Sequence, residues 1–211
     1  MKKLSVALLA LGAFSASVPA HEAGEFFMRA GTATVRPSES SKNVLGLGEF
    51  KVDNNTQMGL TFTYMATDNI GIELLAATPF HHKVGLPGIN GSIASVNQLP
   101  PTLVAQWYFG DAKSTFRPYI GAGVNYTMFF DEKFNHNGHR NGLSDLSLSN
   151  SWGVAGVVGA DYMINKDWLI NASVWYIDLD TDVSFKAGGQ HQSYNLDVNP
   201  WVFMFSAGYR F

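Results

Sequence analysis

Cysteine is absent from the 211 residues of the chain, and charged residues are scarce. Without cysteine, the chain forms neither a disulfide framework nor a thiolate metal site. Charged residues make up 15% of the chain, against roughly 25% in a typical soluble domain. The formal net charge of −3 gives no electrostatic basis for binding nucleic acid, so we expect no nucleic-acid partner.

Long apolar runs are also missing, except near the amino terminus. The segment MKKLSVALLALGAFSASVPA places Lys2 and Lys3 before an apolar core and ends in small residues up to Ala20. This pattern predicts a cleaved secretory signal peptide at residues 1–20 and a mature chain at residues 21–211, although a cut two or three residues earlier fits as well. No later stretch holds 18 consecutive apolar residues, so no transmembrane helix is predicted.

What the chain does have is alternation of aromatic or aliphatic residues with small or polar ones. In NPWVFMFSAGYRF, every second residue from Trp201 to Phe211 is aromatic or Ala, which is typical of a β-strand. Similar segments lie at residues 26–36, 55–66, 70–80, 101–109, 117–130, 151–163, 168–180 and 194–211. Eight strands favour an all-β fold, an antiparallel up-and-down barrel.

The connections between these segments are of two kinds. Short turns lie at 67–69, 110–115 and 165–167, and long polar loops at 37–54, 81–99, 131–150 and 181–193. This asymmetry is typical of bacterial outer-membrane barrels, with short turns in the periplasm and long loops outside the cell. A lipocalin-like soluble barrel is the alternative. Such a barrel would carry charged residues on its outer face, whereas in these segments one of the two sets of alternate residues is nearly free of charge.

The predicted barrel therefore faces lipid, and two further expectations follow. Because a closed barrel leaves no strand edge unpaired, it needs no second copy, and we expect a monomer. The final aromatic residues, Tyr209 and Phe211, have the pattern of the signal that outer-membrane proteins present to their assembly machinery.

The other set of alternate residues is expected to point into the barrel, and it predicts what fills the interior. Eight strands leave room for side chains or one small ligand, which argues against a general diffusion porin. Near the periplasmic end lie Arg29, Glu73, Asp161 and Arg210, which must pair because unpaired buried charges are costly. We call these four residues the polar plug. Higher in the barrel, an apolar path for a ligand is predicted from the inward residues Leu75, Val104, Val157, Trp175 and Ile177.

Prolines mark a weak point between two neighbouring strands. Pro79 ends the third predicted strand, and Pro100 and Pro101 begin the fourth. Because proline has no N–H to donate, these residues shorten the pairing near the top of the barrel. We predict either two neatly ended strands or a lateral opening through which an apolar molecule leaves into the bilayer.

The sequence also resembles a known family across essentially the whole mature chain. The segments HEAGEFFMRAG, NNTQMGLTFTYMATDNIGIELLAATPF, FRPYIGAGVNYTMFFD and DVNPWVFMFSAGYRF are similar to the outer-membrane protein W family. The resemblance weakens mainly in the loops. It implies an eight-stranded barrel that passes small hydrophobic molecules across the outer membrane, with an apolar interior around Leu75 and Trp175.

Other functions have weaker support. A structural barrel, or a surface receptor for bacteriocins or phage that acts through its loops, is the main alternative. An enzyme is not expected, because no histidine can be paired with a nucleophile from spacing, and we expect no cofactor. Histidines 81, 82, 136, 139 and 191 are interpreted as solvated loop residues and not as metal ligands. We interpret Asp178, Asp180 and Asp182 as hydrated side chains at the rim, where the strand leaves the membrane. A calcium site is the alternative.

Overall fold

The computed structural model describes residues 20–211, so the predicted signal peptide lies outside the described residues except for Ala20. Within this range no helix is long and apolar enough to cross a membrane. The described chain forms one short helix, α1 (His136–Arg140), and fifteen strands. The strands are β1 (Phe26–Arg36), β2 (Ser40–Ser41), β3 (Lys51–Val52), β4 (Asn55–Met65), β5 (Ile70–Ala77), β6 (Phe80–Gly85), β7 (Ser92–Leu99), β8 (Thr102–Tyr108), β9 (Phe116–Phe134), β10 (Leu143–Leu148), β11 (Ser151–Met163), β12 (Trp168–Ile177), β13 (Asp180–Ala187), β14 (Gln190–Asp197) and β15 (Trp201–Arg210).

Eight of these strands form a closed antiparallel barrel, as predicted. Their order around the ring is β1, β4, β5, β8, β9, β11, β12 and β15, and β15 pairs with β1 to close it. The closing ladder is long and regular, running from Phe27 opposite Arg210 to Arg36 opposite Trp201. Since every spanning strand has two neighbours, the backbone N–H and C=O groups along these ladders find partners without water.

The outside of the barrel is apolar. Val158, for example, is 63% exposed although it lies in the middle of β11, between Ile120 and Val174 on the flanking strands. Aromatic side chains pair near both ends of this surface: Trp168 with Tyr209 at the short-turn end, and Tyr126 with Trp152 at the long-loop end. An apolar band between two aromatic belts matches a bilayer-spanning surface, which confirms the predicted transmembrane barrel.

Three of the four segments predicted as long polar loops, 81–99, 131–150 and 181–193, contain substantial β-strand, whereas 37–54 contains only the two-residue strands β2 and β3. Most of residues 80–99, 128–148 and 180–197 form strands that continue beyond the barrel, and we call this part, together with β2 and β3, the extension. One of its sheets contains β3, β6, β7 and the upper part of β9, and the other contains β10, β13, β14 and β2. The predicted strands 168–180 and 194–211 are accordingly each divided, between Ile177 and Asp180 and between Asp197 and Trp201.

These strands were missed because their outer faces are polar. In β6, Phe80 and His82 point inward and are buried, whereas His81 and Lys83 point outward and are exposed. A strand that leaves the membrane faces water and loses the apolar outer face by which the spanning strands are recognised. The apolar inner faces of the extension join the barrel interior in one continuous hydrophobic cluster.

Candidate functional site

Three members of the polar plug meet in the barrel at its short-turn end. The guanidinium of Arg29 on β1 forms ion pairs with Glu73 on β5 and with Asp161 on β11. Its Nε donates to Asp161 Oδ1 at 3.1 Å, and its Nη1 donates to Thr63 Oγ1 at 3.2 Å. All three charged side chains are at most 1% exposed, so one buried cation stands between two buried anions.

Neutral side chains complete the hydrogen bonds of these charges. Gln106 donates to Glu73 Oε1 at 2.8 Å, and Asn171 donates to Asp161 Oδ1 at 2.7 Å. Tyr108 accepts from Arg29 at 2.9 Å and donates to Gln106 at 2.9 Å. A buried ion pair is tolerated only when its remaining hydrogen-bonding capacity is filled in this way. The plug thereby closes the interior with a rigid polar layer.

Arg210 is connected to the rest of the plug through Glu25 and His21, two residues that the sequence analysis missed. Its guanidinium pairs with Glu25, with 2.6 Å between Nε and Oε1. Glu25 Oε1 lies 3.3 Å from His21 Nδ1, and His21 Nε2 lies 2.7 Å from Asp161 Oδ2. Both residues precede β1, in a segment too short to show periodicity, so no sequence pattern could have placed them here.

The environment of Glu25 favours its charged form. Burial by itself would raise the pKa of this carboxyl. The effect of burial is outweighed by the hydrogen bond from His21, by the backbone N–H of Glu22 and by the charge of Arg210. The pKa of Glu25 therefore lies below its usual value. The His21 ring is fully buried and stacks on Phe27 with 4.2 Å between ring centroids. The amino-terminal segment is therefore part of the plug.

Arg117 is a further buried charge that the sequence analysis did not assign. It donates to backbone carbonyl oxygens, including those of Ala20 at 2.7 Å, Asp68 at 2.8 Å and Phe109 at 2.7 Å. Arg117 thus ties the segment before β1 to the short turns around it.

The five residues predicted to line an apolar path lie above the plug. They are all buried, with at most 4% exposure, and they belong to the continuous hydrophobic cluster: Leu75, Val104, Val157, Trp175 and Ile177. Trp175 is fully buried, and its indole Nε1 donates to Ser173 Oγ at 3.1 Å. Among residues 20–211, the side chains buried above the plug include no Asp, Glu, Lys or Arg, so this part of the interior is predominantly apolar, with uncharged polar groups such as Thr102 and Asn125.

An apolar cavity lies higher still, between the two sheets of the extension. It encloses about 20 Å³ and is lined by, among others, Phe50, Val84, Val96, Phe134, Leu148 and Leu196. That volume is near the minimum that holds a single water molecule, and this lining offers a water no polar partner. The ladders found within residues 20–211 do not join the two sheets, which are held together by apolar packing over the cavity and by a hydrogen bond from Leu148 N–H to Glu132 Oε1 at 3.3 Å.

The predicted proline seam coincides with a break in strand pairing. The ladder between β5 and β8 ends at Leu75 opposite Thr102, and the ladder between β6 and β7 begins at Phe80 opposite Gln98. Pro79 lies in the break on one side, and Pro100 and Pro101 lie on the other. The two strands are therefore not paired with each other across this short stretch, although each keeps bonds to its other neighbour: Thr78 N–H donates to Met58 O at 3.0 Å, and Pro101 O accepts from Tyr126 N–H at 3.1 Å.

The remaining predicted residues lie at the surface, with one exception. Tyr209 and Phe211 are 36% and 72% exposed, and their rings contact each other at 5.2 Å. The exception is His82, which was interpreted as a solvated loop histidine but is 1% exposed, because β6 turns its side chain inward. Among residues 20–211, no three His, Asp or Glu side chains are grouped so as to hold a metal ion.

A closed eight-stranded barrel with an apolar outer band, two aromatic belts and a plugged interior defines a small integral barrel of the bacterial outer membrane. The model of the OmpW family matches residues 22–211, and the chain belongs to this family. It is 66% identical to outer membrane protein W of Escherichia coli over 213 residues, covering 100% of both chains.

More distant proteins are similar as well. The crystal structure of the outer membrane protein OprG from Pseudomonas aeruginosa is 46% identical, with a TM-score of 0.85 over 91% of this chain and 98% of that one. The solid-state NMR structure of outer membrane protein AlkL in DMPC lipid bilayers is 25% identical, with a TM-score of 0.72 over 94% and 95%. The dibenzothiophene metabolism operon protein PahQ of Pseudomonas aeruginosa is 28% identical over 169 residues, or 78% of this chain and 75% of that protein.

Proposed function

We propose that this outer-membrane barrel binds small apolar molecules and passes them across the outer membrane without any catalytic step. In this proposal the short turns face the periplasm and the extension faces the outside of the cell. An apolar molecule enters between the sheets of the extension and moves down toward Leu75 and Trp175.

The continuous apolar interior is the observation that carries this proposal. One hydrophobic cluster runs from Phe134 and Val183 in the extension to Val104 and Trp175 in the barrel. Transfer of an apolar molecule from water into such surroundings is favourable by roughly 25 cal/mol per Å² of buried surface. An ion would find no counter-charge in this cluster, and polar side chains buried along the route, such as Thr102 and Asn125, are bonded to each other, so the interior favours apolar solutes.

The polar plug makes lateral exit the favoured second step. A molecule without charge or hydrogen-bonding groups gains nothing by breaking the ion pairs of Arg29, and it would have to displace them to reach the periplasm. The break in pairing beside Pro79 and Pro100 lies above the plug, and there fewer hydrogen bonds hold the two strands together. We infer that the ligand leaves there, into the outer leaflet.

The relatives are compatible with an apolar substrate. PahQ is named for dibenzothiophene metabolism, and dibenzothiophene is a flat aromatic molecule without charge. Its similarity extends over 78% of this chain.

The test is to measure how the barrel binds and transfers the apolar fluorophore N-phenyl-1-naphthylamine in proteoliposomes. Trp175→Ala and Leu75→Ala should each change binding or transfer, because they alter the interior at its narrow part. Val158→Ala is the matched control, since it removes a similar apolar side chain from the lipid face. Unchanged binding and transfer in both interior variants would contradict the proposed path and favour a structural or receptor role.

A further inference from the structure

Two buried polar atoms in the extension have no hydrogen-bond partner. Among residues 20–211, the Nε2 atoms of His82 and of Gln98 are both enclosed and unpartnered. The two side chains are 1% and 2% exposed, so bulk solvent does not reach them. Leaving such an atom unpaired is costly, so a buried orphan in a native protein calls for a reason.

Both side chains lie on the face of the β6–β7 hairpin that borders the apolar cavity. His82 is directly opposite Val96, a lining residue, and Gln98 is two residues further along the same face. On β6, His82 shares its face with the lining residue Val84. Because Gln98 is opposite Phe80, at the start of β6, the two polar groups lie between the cavity and the barrel.

The two orphan atoms have complementary hydrogen-bonding roles. His82 Nδ1 is 2.8 Å from the carbonyl oxygen of Asp53, which can only accept, so Nδ1 carries the hydrogen. Burial lowers the pKa of His82 and outweighs the opposing effects of Asp53 and of the nearby Gln98 side chain, which favours the neutral ring. Nε2 of His82 is then a bare acceptor, whereas Nε2 of Gln98 is a donor.

One acceptor beside one donor is the complement of a hydroxyl group, which donates one hydrogen bond and accepts another. We propose that His82 and Gln98 form a recognition site for the hydroxyl of an otherwise apolar ligand, such as a phenol or a long-chain alcohol, whose apolar body occupies the cavity above. The inference rests on the proposed function and specifies its substrate class. Because the cavity encloses only about 20 Å³, the ligand binds by parting the two sheets.

The same geometry disfavours a carboxylate of the same size. A carboxylate only accepts hydrogen bonds, and it would face the lone pair of His82 Nε2. The carboxyl of Asp53, whose Oδ1 lies 3.8 Å from His82 Nδ1, adds a nearby negative charge. A hydrocarbon fits the cavity but leaves both polar atoms unpaired. The site therefore ranks a hydroxyl above a hydrocarbon and above a carboxylate.

The experiment compares three naphthalene derivatives of nearly equal size: 1-naphthol, naphthalene and 1-naphthoate. Their binding to the full barrel in lipid nanodiscs is measured by calorimetry and corrected with protein-free nanodiscs. We expect 1-naphthol to bind about tenfold more tightly than naphthalene, which is the effect of one net hydrogen bond, and 1-naphthoate to bind more weakly than either.

The variants His82→Phe and Gln98→Met keep the shape of the two side chains and remove the hydrogen-bonding groups. Each should abolish the preference for 1-naphthol and leave naphthalene binding in place. Val96→Ala is the matched control, since it should weaken all ligands while preserving their ranking. Heat-dependent electrophoretic mobility verifies that each variant forms the folded barrel.

The outcomes separate this inference from the proposed function. If naphthalene binds and 1-naphthol has no advantage, or if the advantage survives in both variants, the hydroxyl site is wrong and apolar binding stands. If none of the three molecules binds to the wild-type barrel, both proposals are overturned.

Discussion

His21 and Asp161 are 140 residues apart in the chain, yet His21 Nε2 lies 2.7 Å from the Asp161 carboxylate inside the barrel. This contact joins the segment before the first strand to the ion pairs of Arg29. Through Glu25 it also reaches Arg210 on β15, so the plug is one connected network.

Replacing His21 with Ala should therefore loosen the plug. We expect a loss of roughly 1–3 kcal/mol in the free energy of unfolding, because a buried hydrogen bond to a charged group is removed along with the stacking on Phe27. Urea titration followed by electrophoretic mobility measures the loss. His191→Ala, at an exposed position in the extension, is the control and should leave the midpoint unchanged. Equal midpoints for both variants would show that His21 contributes nothing to the plug.

The ion pair between Glu25 and Arg210 should make stability depend on pH. The pKa of Glu25 in the folded barrel lies below its usual value, so the stabilisation is fully present above the unfolded-state pKa of about 4.3. It is lost as the pH falls through the lower, folded-state pKa. We expect the urea midpoint of the wild type to exceed that of Glu25→Gln at neutral pH and the two to converge in acid. Glu22→Gln, at an exposed neighbour, should follow the wild type at every pH.

A charge on the outer face should be costly only in the middle of the bilayer. Leu60 lies at the centre of β4, opposite Ala30 of β1, on the apolar outer face. Leu60→Arg should destabilise the barrel by roughly 2–4 kcal/mol, as measured by reversible unfolding in phospholipid vesicles. Ser114→Arg in a short turn is the control and should have little effect. Equal, small effects at the two positions would argue that Leu60 does not face lipid.

A disulfide across the proline break should close the proposed lateral exit. Ala77→Cys with Pro100→Cys continues the register that ends at Leu75 and Thr102, in a chain without other cysteines. Oxidation should slow transfer of an apolar fluorophore into the vesicle membrane, and reduction should restore it. The pair Leu74→Cys and Leu103→Cys, within the intact ladder, is the control and should transfer at the same rate in both states. Undiminished transfer with the first disulfide formed would rule out the seam as the exit.

The spanning part of the fold could be predicted from the sequence, because each of its strands has an apolar face against lipid. The extension could not, since strands such as β13 place Val183 and Phe185 inward but turn Asp182 toward water. Arg29, Glu73 and Asp161 were predicted to lie together from strand direction alone. His21 and Glu25 were missed, because their position depends on how the chain folds back into the barrel and on no local pattern.

The length of β9 has a consequence for how a solute meets the membrane. Its 19 residues span roughly 60 Å, about twice the height of an apolar band of ~25 Å. A single uninterrupted strand thus carries the barrel wall well beyond the hydrocarbon, through the depth occupied by hydrated headgroups. For an apolar solute those headgroups are the steepest part of the permeation barrier. In the proposed orientation, the solute sheds its hydration shell once, far from the lipid, and crosses that layer inside the protein wall.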